Sequence, residues 1–175
     1  MSQSADQKKF HLGFLWVIKT EVGFVGGLLV TNQLGRPLEF QCTTPVRPNK
    51  TQEILYGPTL QSFIYSDLIG KTLFDRLGVK PDFVVVAQAE LLNLRLLISS
   101  PVGCLVSDND SKKELPDQTF VQVGAQQLRF HPEHDDDLEL VQSKCGKISN
   151  DADLSEPLDR VKDALLETVK VNSVA

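Results

Sequence analysis

The densest set of potential metal ligands in the sequence is His131-Pro-Glu-His134-Asp135-Asp136-Asp137, with two imidazoles and four carboxylates in seven residues. Imidazole and carboxylate together suit zinc or manganese. The proline and the run of acids imply an irregular loop, so the two histidines would not share one helix face. A solvated acidic turn accounts for the same residues, and a metal would need further ligands such as Asp108, Asp110 or His11. Asp108-Asn-Asp110 directly follows the apolar run Val102 to Val106. Ligands gather at the carboxyl ends of strands in open α/β sheets, and two carboxylates there offer the oxygen ligands that Mg²⁺ prefers. Lys112 and Lys113 follow and could meet a phosphate. The candidate set for a divalent metal is thus Asp108, Asp110, His131, His134 and Asp135, and its chemistry would be metal-assisted hydrolysis of a phosphoester.

A second constellation is Glu39-Phe-Gln41 on an expected strand, with Gln52-Glu-Ile-Leu-Tyr56 about ten residues later at the start of an expected helix. A strand bearing E-x-K followed by a helix bearing Q-x-x-x-Y is the pattern of the RecB and Cas4-like nucleases, which residues 24–60 resemble. The resemblance implies carboxylates that hold Mg²⁺ and a lysine that orients the attacking water. Here Gln41 stands in place of that lysine, and the preceding strand has Leu28, Leu29 and Val30 where an aspartate would be required. The implied protein is therefore a degenerate nuclease fold without its catalytic residues. Read without the resemblance, Glu39 and Gln41 form the solvent face of a hairpin, and Tyr56 packs on the sheet.

Arg36, Arg47 and Lys50 lie around the prolines Pro45 and Pro48 and could read an acidic partner or a phosphate, though a chance cluster of surface bases is the simpler account. Gly23, Gly26 and Gly27 precede a strand rather than a helix, the wrong setting for a phosphate-cradling loop. No serine sits in a G-x-S-x-G elbow. Cys42, Cys104 and Cys145 lack C-x-x-C spacing and read as reduced thiols, Cys104 inert in apolar company.

The elements that must position these groups can be read from periodicity. Phe10, Leu12, Phe14, Trp16 and Ile18 alternate, which predicts a strand closed by a turn at Glu21-Val22-Gly23. Phe24–Thr31 predicts a second strand, where Gly26 and Gly27 suggest a bulge or a close backbone approach. Asn32-Gln33-Leu34-Gly35 suits a hairpin turn into a third strand, Pro37–Thr43. A short helix over Thr51–Tyr56 and a longer one from about Thr59 to Leu77 follow, stopped by Gly78 and Pro81. Asp82–Val86, a helix over Ala89–Ile98 and Val102–Val106 form a β-α-β unit. Strand or hairpin is expected around Phe120–Phe130, with Gly124 as a bend; Leu138–Val141 is ambiguous. Ser155 can cap a final helix with the apolar stripe Leu158, Val161, Leu165 and Val169. The fold class is α+β: an antiparallel three-strand meander, a long helix, a β-α-β unit, further strand and a C-terminal amphipathic helix, all on one sheet.

The length, 175 residues, suits one domain over 10–175 behind a polar tail, 1–9. No apolar run spans a membrane or forms a signal peptide, which points to a soluble cytoplasmic protein. Residues 1–106 sum to +2 and residues 107–175 to −7. A net-acidic surface has no general attraction for phosphate backbones, so nucleic acid is disfavoured as a partner. The expected function is a non-enzymatic binding module, with a protein partner or a second copy of itself as occupant. Two alternatives stand beside it: a metal-dependent phosphoester hydrolase and the degenerate nuclease fold.

Overall fold

The first three strands form the expected meander: β1 (His11–Thr20), β2 (Gly23–Asn32) and β3 (Pro37–Cys42) pair antiparallel in succession. The structure, a computed structural model, describes residues 9–107 and 120–174. Asp108, Asp110, Lys112, Lys113 and all but the last residue of the expected tail therefore lie outside the described residues. The turns close as their glycines require: Gly23 and Gly35 adopt φ of 132° and 82°, a region that side-chain-bearing residues avoid.

β1 also pairs parallel with β4 (Phe83–Val86), and β4 with β5 (Val102–Leu105). A hairpin of β6 (Phe120–Val123) and β7 (Gln126–Phe130) joins antiparallel to β5 through β7. The result is one seven-stranded mixed sheet in the order β3-β2-β1-β4-β5-β7-β6. The fold class expected from the sequence is the one observed.

Two apolar cores cover the two faces. Side chains alternate along each strand, so Leu12, Phe14, Leu29 and Val85 face one layer and Leu15, Val17, Leu28 and Val84 the other. The first layer is closed by α5 (Ser155–Val174), whose Leu158, Val161 and Leu165 are fully buried. Each such residue contributes about 1.5–3 kcal/mol on burial. The cap differs from expectation: Ser155 is already helical, and Asp153 Oδ1 receives its N–H and hydroxyl at 2.9 and 2.6 Å. α4 (Asp136–Lys144) packs on the same layer through Val141, so the ambiguous segment is helical.

The second layer is irregular. α1 (Lys50–Tyr56) carries a capping box between Asn49 and Gln52 and leads through a 3₁₀ turn, Gly57–Thr59, into one rod. That rod is α2 (Leu60–Ser62), a π-helical stretch Phe63–Gly70 and α3 (Lys71–Arg76). The crossover between β4 and β5 is a 3₁₀ helix, Ala89–Leu96, rather than an α-helix. An eight-residue α-helix is about 12 Å long and a 3₁₀ helix about 16 Å, so the tighter winding lets so short a segment run back along β4. Among the described residues no helix is long and apolar enough to cross a membrane.

Candidate functional site

Because β1, β4 and β5 are parallel, their carboxyl ends share one edge of the sheet and their starts the other. Ligands are expected at the carboxyl edge. The four strands there and beside it, β2, β1, β4 and β5, contain no aspartate or glutamate. Past the end of β4, Gln88 turns its amide back onto β1: Oε1 accepts from the Val17 N–H at 2.9 Å and Nε2 donates to the Val17 carbonyl at 2.8 Å. A neutral side chain thus extends the β1–β4 ladder where the strand stops. Glu90, next along, accepts from Gln61 Nε2 at 3.3 Å, and its carbonyl accepts from the buried Ser66 hydroxyl at 2.7 Å. Burial is the main cause of the raised Tyr65 phenol pKa, partly opposed by Gln61 and reinforced by Glu90.

The histidine loop lies at the opposite edge, after β7. His131 Nδ1 accepts from the Glu133 N–H at 3.1 Å, and Nε2 lies 3.2 Å from Asn93 Oδ1. Those partners imply the Nε2–H tautomer. Asn93 in turn donates to Ser62 Oγ at 2.5 Å. His134 packs edge-on against His131, ring centroids 6.1 Å apart. Asp137 is not a loop ligand at all: it is buried and forked by Arg95 at 2.6 and 3.2 Å. Among the described residues, no three of His, Cys, Asp and Glu converge to hold a metal ion. His131, His134 and Asp135 do not make a site by themselves, and Asp108 and Asp110 lie outside the described residues.

The Glu39 constellation also has structural work. The Glu39 carboxylate accepts the N–H groups of Gly78 and Val79 at 3.0 and 2.9 Å, and Gln41 Nε2 at 3.2 Å. Those two backbone donors are the main reason its pKa lies below the ordinary value, while burial opposes them. It is therefore not the solvent face of a hairpin but the clamp on the turn after α3. Gln52 closes the capping box of α1, and Tyr56 stacks on Phe63 with centroids 4.2 Å apart rather than on the sheet. β3 is an edge strand. Arg36 and Arg47 are exposed but stand before and after β3, so they form no cluster: six residues of strand separate them by about 20 Å.

Sequence reading missed a cleft of about 920 Å³ at the starting edge of β1. Lys9, His11, Gln33, Leu34, Leu38 and Lys147 are among its walls. They come from three distant segments, and no local pattern marks them.

No family model matches this sequence, and neither does any curated protein. Solved structures do match. The crystal structure of human endonuclease V aligns over 97% of this chain and 87% of its own, with a TM-score of 0.58 and 14% identity. A Ciona intestinalis endonuclease V, bound to a 23mer DNA with an inosine followed by a ribo-adenosine, aligns over 92% of this chain and 87% of its own, at 9% identity and a TM-score of 0.47. The first likeness shows a nuclease-like fold. It also corrects the expectation that nucleic acid is disfavoured and a protein or second copy preferred as partner, because the human protein is by name a nuclease. Net charge averages over a whole surface and says little about what a fold holds locally. The likeness equally removes support from the non-enzymatic module as the leading reading, and the Glu39 and Gln52 pattern is not what carries it.

Proposed function

We propose that this protein binds nucleic acid on an endonuclease-V-like fold and does not cleave it through metal ions held on the central strands. The reading takes its partner class from the fold likeness, which by itself is analogy. The observation that carries the rest is the carboxylate-free centre of the sheet, β2-β1-β4-β5. Metal-assisted phosphoester hydrolysis needs oxygen or imidazole ligands that fix the ion beside the scissile bond. Those four strands carry no carboxylate, their one imidazole, His11, opens β1 at the opposite edge, and Gln88 spends its amide on Val17.

Two assays on one preparation test this. Fluorescence anisotropy with labelled DNA and RNA should give dissociation constants of about 10⁻⁴–10⁻⁶ M that weaken as salt rises. Gel assays with Mg²⁺ or Mn²⁺ should show the strands intact. Absence of binding to every nucleic acid at low salt would overturn the partner class. Metal-dependent cleavage that disappears in the double variant Asp108→Ala, Asp110→Ala would instead assign hydrolysis to the pair after β5.

A further inference from the structure

The outer end of the sheet, β5-β7-β6, is built differently on its two faces. On one face Val121, Val123, Leu128 and Phe130 join the core that α4 and α5 close. On the other, the second core stops at Val102 and Cys104 of β5, and among the described residues none from β6 or β7 belongs to it. Strand alternation turns Phe120, Gln122, Gln127 and Arg129 onto this second face, which the apolar core does not reach. Neither β6 nor β7 carries an aspartate or glutamate.

Arg129 stands out on this face. Its Nε is buried with no hydrogen-bond partner, the one such side-chain atom among the described residues. A buried donor left unbonded has lost its hydration with nothing in return, and native proteins keep few of them. Arg95 has Asp137 and Arg160 has Glu156, whereas among the described residues no ion pair engages Arg129. Phe120 lies directly opposite Arg129 in the antiparallel register and is 40% exposed on the edge strand; such partners have Cβ atoms about 4.5–5.5 Å apart. On its other side Arg129 faces Cys104, the penultimate residue of β5. The pair therefore adjoins the carboxyl edge of the sheet, where ligands are expected, and the hairpin runs on past that edge to Gln122 and Gln127.

A guanidinium fork takes phosphate or carboxylate. The exposed ring beside it selects a ligand with a flat face next to its anion, which a nucleotide has and an acidic peptide lacks. Unpaired bases stack on such rings, whereas a duplex keeps its base faces within its own stack. An unpaired guanidinium on a carboxylate-free hairpin also supplies the local cation that a chain of net charge −5 needs for such a partner. We propose that the β6–β7 face holds an unpaired nucleotide of a single strand, its phosphate on Arg129 and its base on Phe120. The proposal rests on the nucleic-acid reading above and adds its place and strandedness.

The test is anisotropy on the full chain with a labelled oligothymidine and, in parallel, a duplex of equal length. Arg129→Met keeps the apolar stem and removes the fork. It should weaken single-strand binding about 10-fold and make log K against log salt shallower by about 0.7, the slope of one single-strand phosphate contact. Its urea midpoint should equal or exceed that of the wild type, because the unbonded donor is gone. Arg129→Lys keeps the charge without the fork, so it should restore the salt slope and only part of the affinity. Phe120→Leu should weaken single-strand binding at least about 5-fold, with the salt slope and duplex binding unchanged. Lys50→Ala removes one exposed charge on α1, which follows β3 at the other edge of the sheet, and should stay within about 2-fold. Wild-type protein that binds no nucleic acid defeats the underlying reading. Binding that Arg129→Met and Phe120→Leu weaken no more than Lys50→Ala defeats the site and leaves that reading standing. Equal affinity for the duplex, with the same losses in both variants, defeats the single-strand assignment. Displacement of the oligothymidine by an equal concentration of polyglutamate would show that the fork takes carboxylates without a base, and defeats the nucleotide.

Discussion

The two faces of the sheet are held by different physics. On one, α5 lays a regular apolar stripe of Leu158, Val161 and Leu165 on β1 and β2, with Arg160 on the Gly35 carbonyl and Lys162 over Trp16 beside it. On the other, the rod containing the π-helical stretch meets the 3₁₀ crossover, and polar bonds join them: the buried Ser66 hydroxyl to the Glu90 carbonyl, Asn93 to Ser62, and Gln61 to the Glu90 carboxylate. Apolar contact tolerates small shifts; directional bonds between irregular helices do not. The second face should therefore be the more sensitive to single substitutions.

The largest effect is expected where the two layers meet. Asp137 belongs to α4, on the first face, and Arg95 to the crossover, on the second. Their side chains are only 3% and 15% exposed, and the guanidinium forks the carboxylate. Removing one partner leaves the other charge buried, which costs about 3–5 kcal/mol. Asp137→Ala should lower stability by that amount in urea denaturation, while Arg95→Met with Asp137→Leu should recover most of it. A loss below about 1 kcal/mol for Asp137→Ala would mean the layers do not depend on the pair.

The same contrast explains what could be read in the sequence. The stripe of α5 and the alternation of β1 are periodic, so each residue's side of the sheet follows from its spacing. The double glycine of β2 was also legible as a close approach: a Cβ on Gly26 would meet Ile69 Cγ2 at 2.1 Å, and one on Gly27 would meet Leu165 Cδ2 at 2.9 Å. The winding of Phe63–Gly70 and Ala89–Leu96 was not legible. π and 3₁₀ turns reuse helix-forming residues, and tertiary contacts choose among them: Gly70, whose Cβ would meet Leu94 at 3.2 Å, lets the crossover seat against the rod. Asp137 was read as one acid in a solvated run because its partner lies 42 residues away. The cleft was illegible for the same reason, its walls being assembled from Lys9, Gln33 and Lys147.

The two glycines give the second comparison directly, since they face opposite layers of the same strand. Ile69 is β-branched and sits in the π-helical stretch, so it cannot swing clear of a new methyl. Leu165 and Val161 approach Gly27 with flexible or terminal atoms of one regular helix, which can slide. Gly26→Ala should cost about 3 kcal/mol and Gly27→Ala about 1–2, measured as the shift in urea midpoint. Equal losses would show that both faces yield alike, against the comparison drawn here.

The smallest effect belongs to Glu39, which clamps the turn that closes α3 on the irregular face. Its carboxylate takes two backbone N–H groups, first Gly78 and then Val79, and they hold its pKa below the ordinary 4.5. A group depressed in the folded state contributes stability that is fully present above its unfolded pKa and is lost as pH falls through the folded one. The melting temperature of the wild type should therefore include a Glu39-dependent fall as the pH drops below the ordinary glutamate range. Glu39→Gln should start slightly lower at neutral pH, because an amide presents one acceptor and one donor to two donors, and should lose that acid-dependent part. Partial exposure of the carboxylate keeps the effect below that of either glycine. Identical pH profiles for the two proteins would show that the turn after α3 is held by its apolar anchor, Leu77, and not by the clamp.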